Sequence, residues 1–523
     1  MTGTATFLLT FLRRDRWMLL WWVLGGTTLY VATVYSVDGL YTTQADYDAA
    51  AASASSNAAF IAMAGPARAL DTLGGQTAWQ TTAFGAIVAG LMSMFLVGRH
   101  TRVEEESGRD ELLRASAVGR YAPMTAAALV AALANLVLGL LVSVSLTAYG
   151  LAGADSLGLG LGVTACGWVF TGTALVAMQV TASTRSAYGI AGGVIAVAYV
   201  LRAIGDVGNG VLSWISPIGW YQAMHQFSGL RWWPALLMLA GAASAVASAY
   251  ALFGRRDYGS GMVAARPGRP RAPYGLRSGG GLAWRLQRGA VIGWTAGLFF
   301  FGLAYGAIGD DVESLLGESD VSQEMFAQAG TDLATGFYGT AVLMLAVVAA
   351  GGAISSALRP RGEEENGHLE VVLATALPRR RWLLGHVVVT VAGTVLVLVG
   401  SGVGLGAGYL MVTGDGDAAW DITWPVLQYV GPVLVLSGVA RVLYGALPRW
   451  SVLAWVPLVF AAVVMLFGEL FGLPQWLQDV SPFEHLPMVP AESFDWAPAL
   501  ALVGVALVLS VVGQVAFARR DVH

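Results

Sequence analysis

The chain has 523 residues, of which 56% are hydrophobic and 12% charged, with a formal net charge of -4. Soluble domains contain roughly 45–50% apolar and about 25% charged residues, so this composition excludes a soluble enzyme and indicates a protein with many membrane spans. All 29 basic residues are arginine. Without lysine, the chain can complete neither the phosphate-binding loop of a P-loop ATPase nor a Schiff base.

The residues that commonly bind metals are few and scattered. The single cysteine, Cys166, lies in an apolar stretch, which excludes an intrachain disulfide and a thiolate zinc cluster and predicts a packing role. The six histidines have no paired spacing, so we predict no metal site. We also expect no cofactor resident in this chain and no nucleic acid partner.

The first predicted element is an amphipathic helix before the first span. Its apolar residues include Phe7 and Phe11, and its basic residues are Arg13, Arg14 and Arg16, a pattern typical of a helix that lies on a membrane surface. Apolar runs of about 20 residues then predict twelve spans. The spans start near Trp17, Trp79, Ala122, Leu157, Tyr188, Pro234, Gly289, Thr335, Trp382, Ile422, Ser451 and Ala497.

The arginines predict the orientation of these spans. If the N-terminus is cytoplasmic, 25 of the 29 arginines fall in cytoplasmic segments. By the positive-inside rule we therefore expect a multi-pass protein of the plasma membrane with both termini cytoplasmic. Residues 37–78 then lie outside, and we expect them to be helical as far as Gly65-Pro66. They form either a cap over an exit or a surface loop.

An internal repeat divides the chain into halves. Residues 104–116, EEESGRDELLRAS, align with residues 363–375, EEENGHLEVVLAT, at an offset of 259, and each copy follows the second span of its half. Six spans per half relate the halves by an axis along the membrane normal. The predicted fold is all-α, with twelve transmembrane helices in two parallel six-helix pseudo-repeats. The predicted parts are residues 1–254, with a loop helix near 101–121; a linker, 255–288, whose Arg, Pro and Gly content disfavours a helix; and residues 289–523, with a loop helix near 360–381.

The repeated acidic residues have two interpretations. A glutamate at a helix N-terminus stabilises the helix through its dipole, which explains one glutamate per helix. Both copies contain three consecutive glutamates and a fourth glutamate at the same spacing. This repeat favours the second interpretation, a helix that docks against a basic groove of a cytoplasmic partner. The residues in question are Glu104, Glu105, Glu106, Gly108, Glu111, Glu363, Glu364, Glu365, Gly367 and Glu370.

With its amphipathic N-terminus, its repeated acidic loop and the Ser-Pro pairs at 216–217 and 481–482, the chain resembles the membrane subunits of ABC-2 type ABC exporters. The most similar group is the fused twelve-span permeases of the actinobacterial polyketide-antibiotic (tetronasin-type) multidrug exporter family, which have a type V exporter fold. The resemblance implies that two copies of a separate P-loop ATPase, which bind ATP and Mg, dock on the two loop helices.

The resemblance also implies a bulky hydrophobic substrate and a path between the halves along their second and fifth spans. Candidate path residues are Phe84, Met92, Met94, Phe95, Phe337, Tyr338 and Met344. The second acidic copy has Leu369, Leu373 and Pro378 where the first has Asp110, Arg114 and Gly119. We therefore expect the two docking surfaces to differ.

Two other functions remain as alternatives. An ion-coupled secondary multidrug transporter needs a buried ionisable group near the midplane, whereas Arg202, Arg441 and Glu469 lie near span ends and are predicted to snorkel or to pair locally. A non-transport membrane scaffold or enzyme is the other alternative. The lack of clustered catalytic groups disfavours it, and we expect this chain to be a transport subunit rather than an enzyme.

Overall fold

The computed structural model describes residues 2–56, 58–108, 118–257, 259–263, 270–308, 333–467 and 473–521. Over these residues the chain is about 81% helical and contains no strand. Twelve of the described helical segments are long and apolar enough to cross a membrane. These observations confirm the prediction of an all-α polytopic membrane protein.

The first half of the chain contains six of these spans. They are α2, α5 with its extension α6, α7, α8, α9 and α11. The helices of this half are α1 (Thr4–Arg14), α2 (Arg16–Leu40), α3 (Gln44–Ser56), α4 (Ala58–Ala64), α5 (Leu73–His100), α6 (Arg102–Glu106), α7 (Ala122–Tyr149), α8 (Gly153–Val180), α9 (Thr184–Val207), α10 (Pro217–Gln222) and α11 (Trp233–Arg255).

The second half contains the other six spans. Its helices are α12 (Gly279–Gly306), α13 (Leu333–Ala357), α14 (Arg359–Glu365), α15 (His368–Leu373), α16 (Arg379–Thr413), α17 (Gly416–Thr423), α18 (Val430–Ala446), α19 (Val456–Phe467), α20 (Gln475–Gln478) and α21 (Trp496–Arg519). Short 3₁₀ turns join α17 to α18, at Trp424–Tyr429, and precede α19, at Pro448–Trp455.

The seventh span begins earlier than predicted. Helix α12 starts at Gly279, not near Gly289, because the Ser278 side chain caps it by accepting a hydrogen bond from the Gly281 backbone N–H at 3.1 Å. The glycines occupy only the first turn, where helix propensity matters least, and the good helix formers follow. The predicted linker, 255–288, is therefore too long, since residues 279–288 are helical.

Residue contacts divide the chain into two compact units, the first containing the described residues up to 263 and the second those from 270 onward. Each unit has its own hydrophobic core. Met92 and Phe170 lie in the first core, and Val342 and Leu398 lie in the second. Cys166 is fully buried in the first core, as its apolar surroundings in the sequence predict.

Glycines let the spans pack closely within each unit. A Cβ added to Gly160 of α8 would lie 2.1 Å from the backbone oxygen of Gly139 in α7, and one added to Gly404 of α16 would lie 2.0 Å from that of Phe299 in α12. Membrane helices commonly approach through such small residues. Substitution of either glycine would therefore separate two spans.

The segment between the first two spans is helical and anchored. Helix α4 ends at Ala64, directly before Gly65-Pro66, as predicted. The Arg202 guanidinium is fully buried, donates to the backbone oxygen of Met63 at 3.0 Å and pairs with Asp206 at 3.3 Å. The predicted local pairing of Arg202 is thus confirmed, and it supplies donors to the last carbonyls of α4.

Of the other two ionisable residues predicted near span ends, Arg441 lies within the described residues and Glu469 does not. Arg441 is 2% exposed and donates to the Ser510 hydroxyl, so it joins α18 to α21 rather than snorkelling. Glu469 and Glu111 lie outside the described residues.

Candidate coupling site

The first acidic segment, residues 102–108, directly extends the second span. The backbone leaves the helical region at Thr101 (φ -123°, ψ -88°), and α6 then carries Glu104, Glu105 and Glu106. The segment turns at Gly108, where φ is 72°. A left-handed φ favours glycine, which gives a physical reason for the glycine found in both acidic copies.

The central glutamate of this segment is buried in an ion pair. Nη1 and Nη2 of Arg256 donate to Oε1 and Oε2 of Glu105 at 2.6 and 2.8 Å, and the two side chains are only 4% and 6% exposed. Arg102 lies 3.0 Å from the same carboxylate, and the Gly259 backbone N–H donates to it at 2.8 Å. This bidentate geometry gives a strong, directional contact between α6 and the residue that follows α11.

The flanking glutamates contact two other elements. Arg14 Nη1 of α1 donates to Glu104 Oε1 at 2.7 Å, and the Thr184 backbone N–H at the start of α9 donates to Glu106 Oε2 at 3.0 Å. All three glutamates therefore have partners within this chain. Only Glu106 among them is an exposed residue.

A cluster of polar side chains, Arg14 and the buried Asp15 and His100, connects α1 to the end of α5. His100 Nε2 lies 2.6 Å from Asp15 Oδ2, with both side chains fully buried, and Arg14 Nη2 lies 3.1 Å from His100 Nδ1. The Phe11 ring stacks on the imidazole, with centroids 3.9 Å apart.

The charged groups of this cluster change the pKa of Asp15. Burial would raise the pKa of the Asp15 carboxyl, but the hydrogen bond and charge of His100, with the charges of Arg99 and Arg14, outweigh it and lower this pKa below its usual value. The carboxylate is therefore ionised at neutral pH and fixes α1 against the second span.

The second acidic segment, residues 359–367, repeats the central contact. Nη1 and Nη2 of Arg520 donate to Oε1 and Oε2 of Glu364, both at 2.6 Å, and the Tyr444 hydroxyl donates to Oε2 at 2.8 Å. Gly367, like Gly108, has a φ of 72°. The segment thus turns in the same way and pairs its central glutamate with the end of the sixth span of its half.

The flanking glutamates of this copy make shorter-range contacts. Glu363 accepts from Arg359 and Glu365 accepts from Arg361, in each case at 2.6 Å and four residues apart on α14. The Glu365 side chain is 59% exposed. Glu370 and Val371 of α15 are also exposed, so the second copy presents an accessible surface with both acidic and apolar groups.

Arg102 and Arg361, which are equivalent at the offset of 259, contact the region of the fourth and fifth spans. Arg102 Nε donates to the backbone oxygen of Met178 near the end of α8 at 3.0 Å. Arg361 Nη1 donates to the Ser451 hydroxyl, in the turn that starts the fifth span of its half, at 2.6 Å. Both acidic segments are therefore held at two points.

Arg256 and Arg520 are functional candidates that were not predicted from the sequence. They are the fourth residues of FGRRD, at 253–257, and FARRD, at 517–521, which end the two halves. This FxRRD motif repeats at an offset of 264, five residues more than the acidic segments, so a search at a single offset misses it. The repeat itself is the signal from which both arginines are recognisable.

The second acidic copy has an apolar residue, Leu369, where the first has Asp110. Leu369 is 1% exposed and packs in a cluster with Trp382 and Phe517. The equivalent residue of the first copy, Asp110, lies outside the described residues, as does Arg114.

The candidate path residues differ in how accessible they are. Met92 and Met94 are buried in the core of the first unit, and Tyr338 is buried in that of the second. The other candidates are accessible in part, and Phe95 is 40% exposed. The partly accessible candidates are Phe84, Phe337 and Met344.

Two of these residues share a neighbour in the second unit. The Phe337 ring lies 6.1 Å from the Tyr305 ring, and the Tyr305 hydroxyl lies 3.7 Å from the Met344 sulfur. Tyr305 therefore belongs with Phe337 and Met344 in one aromatic and thioether surface.

Across the described ranges, no group of three or more His, Cys, Asp or Glu side chains is arranged to hold a metal ion.

Comparison with known proteins identifies the family. Residues 276–518 match the family model described as the multidrug efflux system permease Rv1217c, C-terminal domain. The whole chain is 38% identical over 527 aligned residues to the multidrug efflux system permease protein Rv1217c of Mycobacterium tuberculosis (strain ATCC 25618 / H37Rv), with 96% of that protein covered. The chain therefore belongs to the family of multidrug efflux system permeases that includes Rv1217c.

Proposed function

We propose that this permease is the transmembrane subunit of an ATP-driven exporter of hydrophobic antibiotics or drugs and that it works with a separate ATPase. The family name supports drug export, and the resemblance to ABC-2 type, tetronasin-type exporters supports the energy source. The absence of lysine means that the P-loop must come from another chain. The observation that carries the proposal is the pair of similarly anchored acidic segments, one in each half.

We propose that the permease lies in the plasma membrane and that the acidic segments at the ends of both second spans face the cytoplasm. The distribution of the arginines supports this orientation. Helix α1, the two FxRRD motifs and both termini then lie on the cytoplasmic side. An ATPase that contacts these segments from the cytoplasm has access to ATP and Mg. The ATPase, and not this chain, binds them.

Two ATPase copies would dock on surfaces that differ. In the second half, the exposed Glu365, Glu370 and Val371 supply charge and an apolar contact. In the first half, Glu106 is exposed, while Glu104 and Glu105 are bound by Arg14 and Arg256. We therefore assign Glu105 and Glu364 to holding the segments in place and the exposed glutamates to contact with the ATPase.

The accessible candidate residues would line the substrate path. Phe84 and Phe95 in the first half, and Phe337 and Met344 in the second, are accessible enough to contact a ligand. Aromatic and thioether groups adapt to bulky apolar compounds. Met92, Met94 and Tyr338 would support these residues from the core of their own half, because they are buried.

The docking proposal is tested by the variant Glu365→Ala/Glu370→Ala/Val371→Ala. Charge-assisted hydrogen bonds contribute about 1.5–3 kcal/mol each, so co-purification of the ATPase should fall by at least about tenfold, and more at raised salt. Asp421→Ala removes an exposed carboxylate of α17 in the same half and is the control. Unchanged ATPase recovery with the triple variant would contradict this docking surface.

A further inference from the structure

Each half of the molecule contains the same link between two cytoplasmic elements of the proposed exporter. In the first half, Glu105 at the end of the second span binds Arg256 after the sixth span. In the second half, Glu364 binds Arg520 in the corresponding way. The two arginines have the same position in the repeated FxRRD motif.

The motif also supplies an aromatic face for each arginine. The guanidinium carbon of Arg256 lies 5.0 Å from the centroid of the Phe253 ring, and that of Arg520 lies 5.1 Å from the Phe517 ring. Each phenylalanine fixes its arginine from one side and leaves the guanidinium edge for the carboxylate. The first and fourth residues of the motif thus act together.

The phenylalanines contact the start of the third span as well. The Phe253 ring lies 5.5 Å from that of Tyr121, next to α7, and the Phe517 ring lies 5.7 Å from that of Trp382 in α16. The link therefore joins the second, third and sixth spans of each half.

What surrounds the two links differs. Glu105 has Arg102 and the Gly259 N–H as further partners, whereas Glu364 has the Tyr444 hydroxyl. The feature common to both halves is the bidentate Glu–Arg contact. Packing alone does not require the same bidentate contact in two different surroundings.

We propose that Glu105–Arg256 and Glu364–Arg520 transmit the movement of each acidic segment to the sixth span of its half. This inference rests on the proposed function, because the movement is that imposed by the docked ATPase. Separation of either pair would remove two charge-assisted hydrogen bonds from a carboxylate with little access to water, which is strongly unfavourable. The segment and the span end therefore move together, and the two arginines are positioning residues for energy coupling.

The neighbouring arginine of each motif provides a matched control. Arg255 and Arg519 carry the same charge one residue earlier, and both are exposed. Substitution of Arg255 or Arg519 changes the net charge in the same way without breaking the link.

The test uses the full chain, assembled with its ATPase and reconstituted in liposomes. The variants are Arg256→Gln, Arg520→Gln, the single substitutions Glu364→Arg and Arg520→Glu, and the reversed pair that combines these last two. The controls are Arg255→Gln and Arg519→Gln. The measurements are the amount of assembled complex, ATP hydrolysis, and drug transported per ATP hydrolysed. The third quantity does not depend on how much protein folds.

We expect Arg256→Gln and Arg520→Gln to assemble and hydrolyse ATP but to transport about tenfold less drug per ATP, a typical coupling between sites. The controls should match the parent, and the reversed pair should recover coupling relative to either of its single substitutions. Parental transport per ATP in both Gln variants, or no recovery by the reversed pair, would overturn the inference alone. Transport by the parent that continues when hydrolysis is blocked would overturn the proposed function with it.

Discussion

Gly108 and Gly367 share a backbone φ of 72°, at the same position of two acidic segments that are 259 residues apart. A Cβ at either glycine would meet no atom within 4 Å. Any cost of replacing them therefore comes from the backbone rather than from a collision.

We expect Gly108→Ala and Gly367→Ala each to destabilise the turn by about 1–2 kcal/mol, because alanine disfavours the left-handed region. ATPase binding should weaken at the affected half. Gly362→Ala is the control, since Gly362 lies inside α14 and has equal space for a Cβ, so alanine should stabilise the helix slightly. Thermal unfolding and ATPase co-purification measure both effects, and a Gly367→Ala variant as stable as Gly362→Ala would refute the explanation.

The Asp15–His100 contact should make a large contribution to the stability of the first unit. Removal of one partner from a buried pair costs about 3–5 kcal/mol, so we expect Asp15→Ala to lower the unfolding temperature strongly. Asp257→Ala, which removes an exposed carboxylate, should have little effect. Because the Asp15 pKa is lowered on folding, its contribution is present above about pH 4 and is lost as the pH falls through the folded-state value.

Arg202 should control the anchoring of α4. Its replacement by alanine leaves Asp206 without its arginine partner and leaves the Met63 carbonyl without one of its donors. We expect a loss of about 3–5 kcal/mol and faster hydrogen exchange of the α4 amides. Arg231→Ala removes an exposed arginine and should leave α4 protected. Unchanged exchange in Arg202→Ala would show that α4 is held by other contacts.

His225 gives a different pH dependence. Burial, with the charges of Arg68 and Arg231, lowers the His225 pKa to about 4. In the unfolded state the pKa of this imidazole is about 6.5, so the unfolded chain binds more protons than the folded one between the two pKa values. The contribution of His225 to the stability of the fold is therefore fully present above about pH 6.5 and declines as the pH falls toward about 4.

The variant His225→Asn tests this pH dependence, because asparagine tolerates the φ of 54° at this position. Its unfolding temperature should vary less than that of the parent between about pH 7 and about pH 4.5. His368→Asn is the control, since that side chain is 68% exposed. Equal pH profiles for parent and His225→Asn would contradict the assignment.

The span pattern was predictable because it depends on local hydrophobicity. Most predicted starts lie within a few residues of the observed ones, and the late prediction at Gly289 arose from weighting the glycines above the Ser278 cap. The repeated glutamates were also visible in the sequence. Their partners were not, because Arg14 and Arg256 reach them across 90 and 151 residues, and no local pattern encodes such pairings.

The path residues show the same limit. The sequence places Met92 and Phe95 on one span, three residues apart, but the fold buries Met92 completely and leaves Phe95 40% exposed. The direction in which each side chain points depends on which neighbouring spans pack against α5. That information lies in tertiary contacts rather than in residue type.

The central claim is that ATP hydrolysis by a separate subunit drives export through this permease. The most direct measurement is drug uptake into inverted membrane vesicles from cells that encode the chain, compared with vesicles that lack only this permease. We predict permease-dependent uptake that requires ATP, continues with a protonophore present, and stops when a non-hydrolysable ATP analogue replaces ATP. Uptake that persists without hydrolysis but stops with the protonophore would contradict the account and favour an ion-coupled transporter.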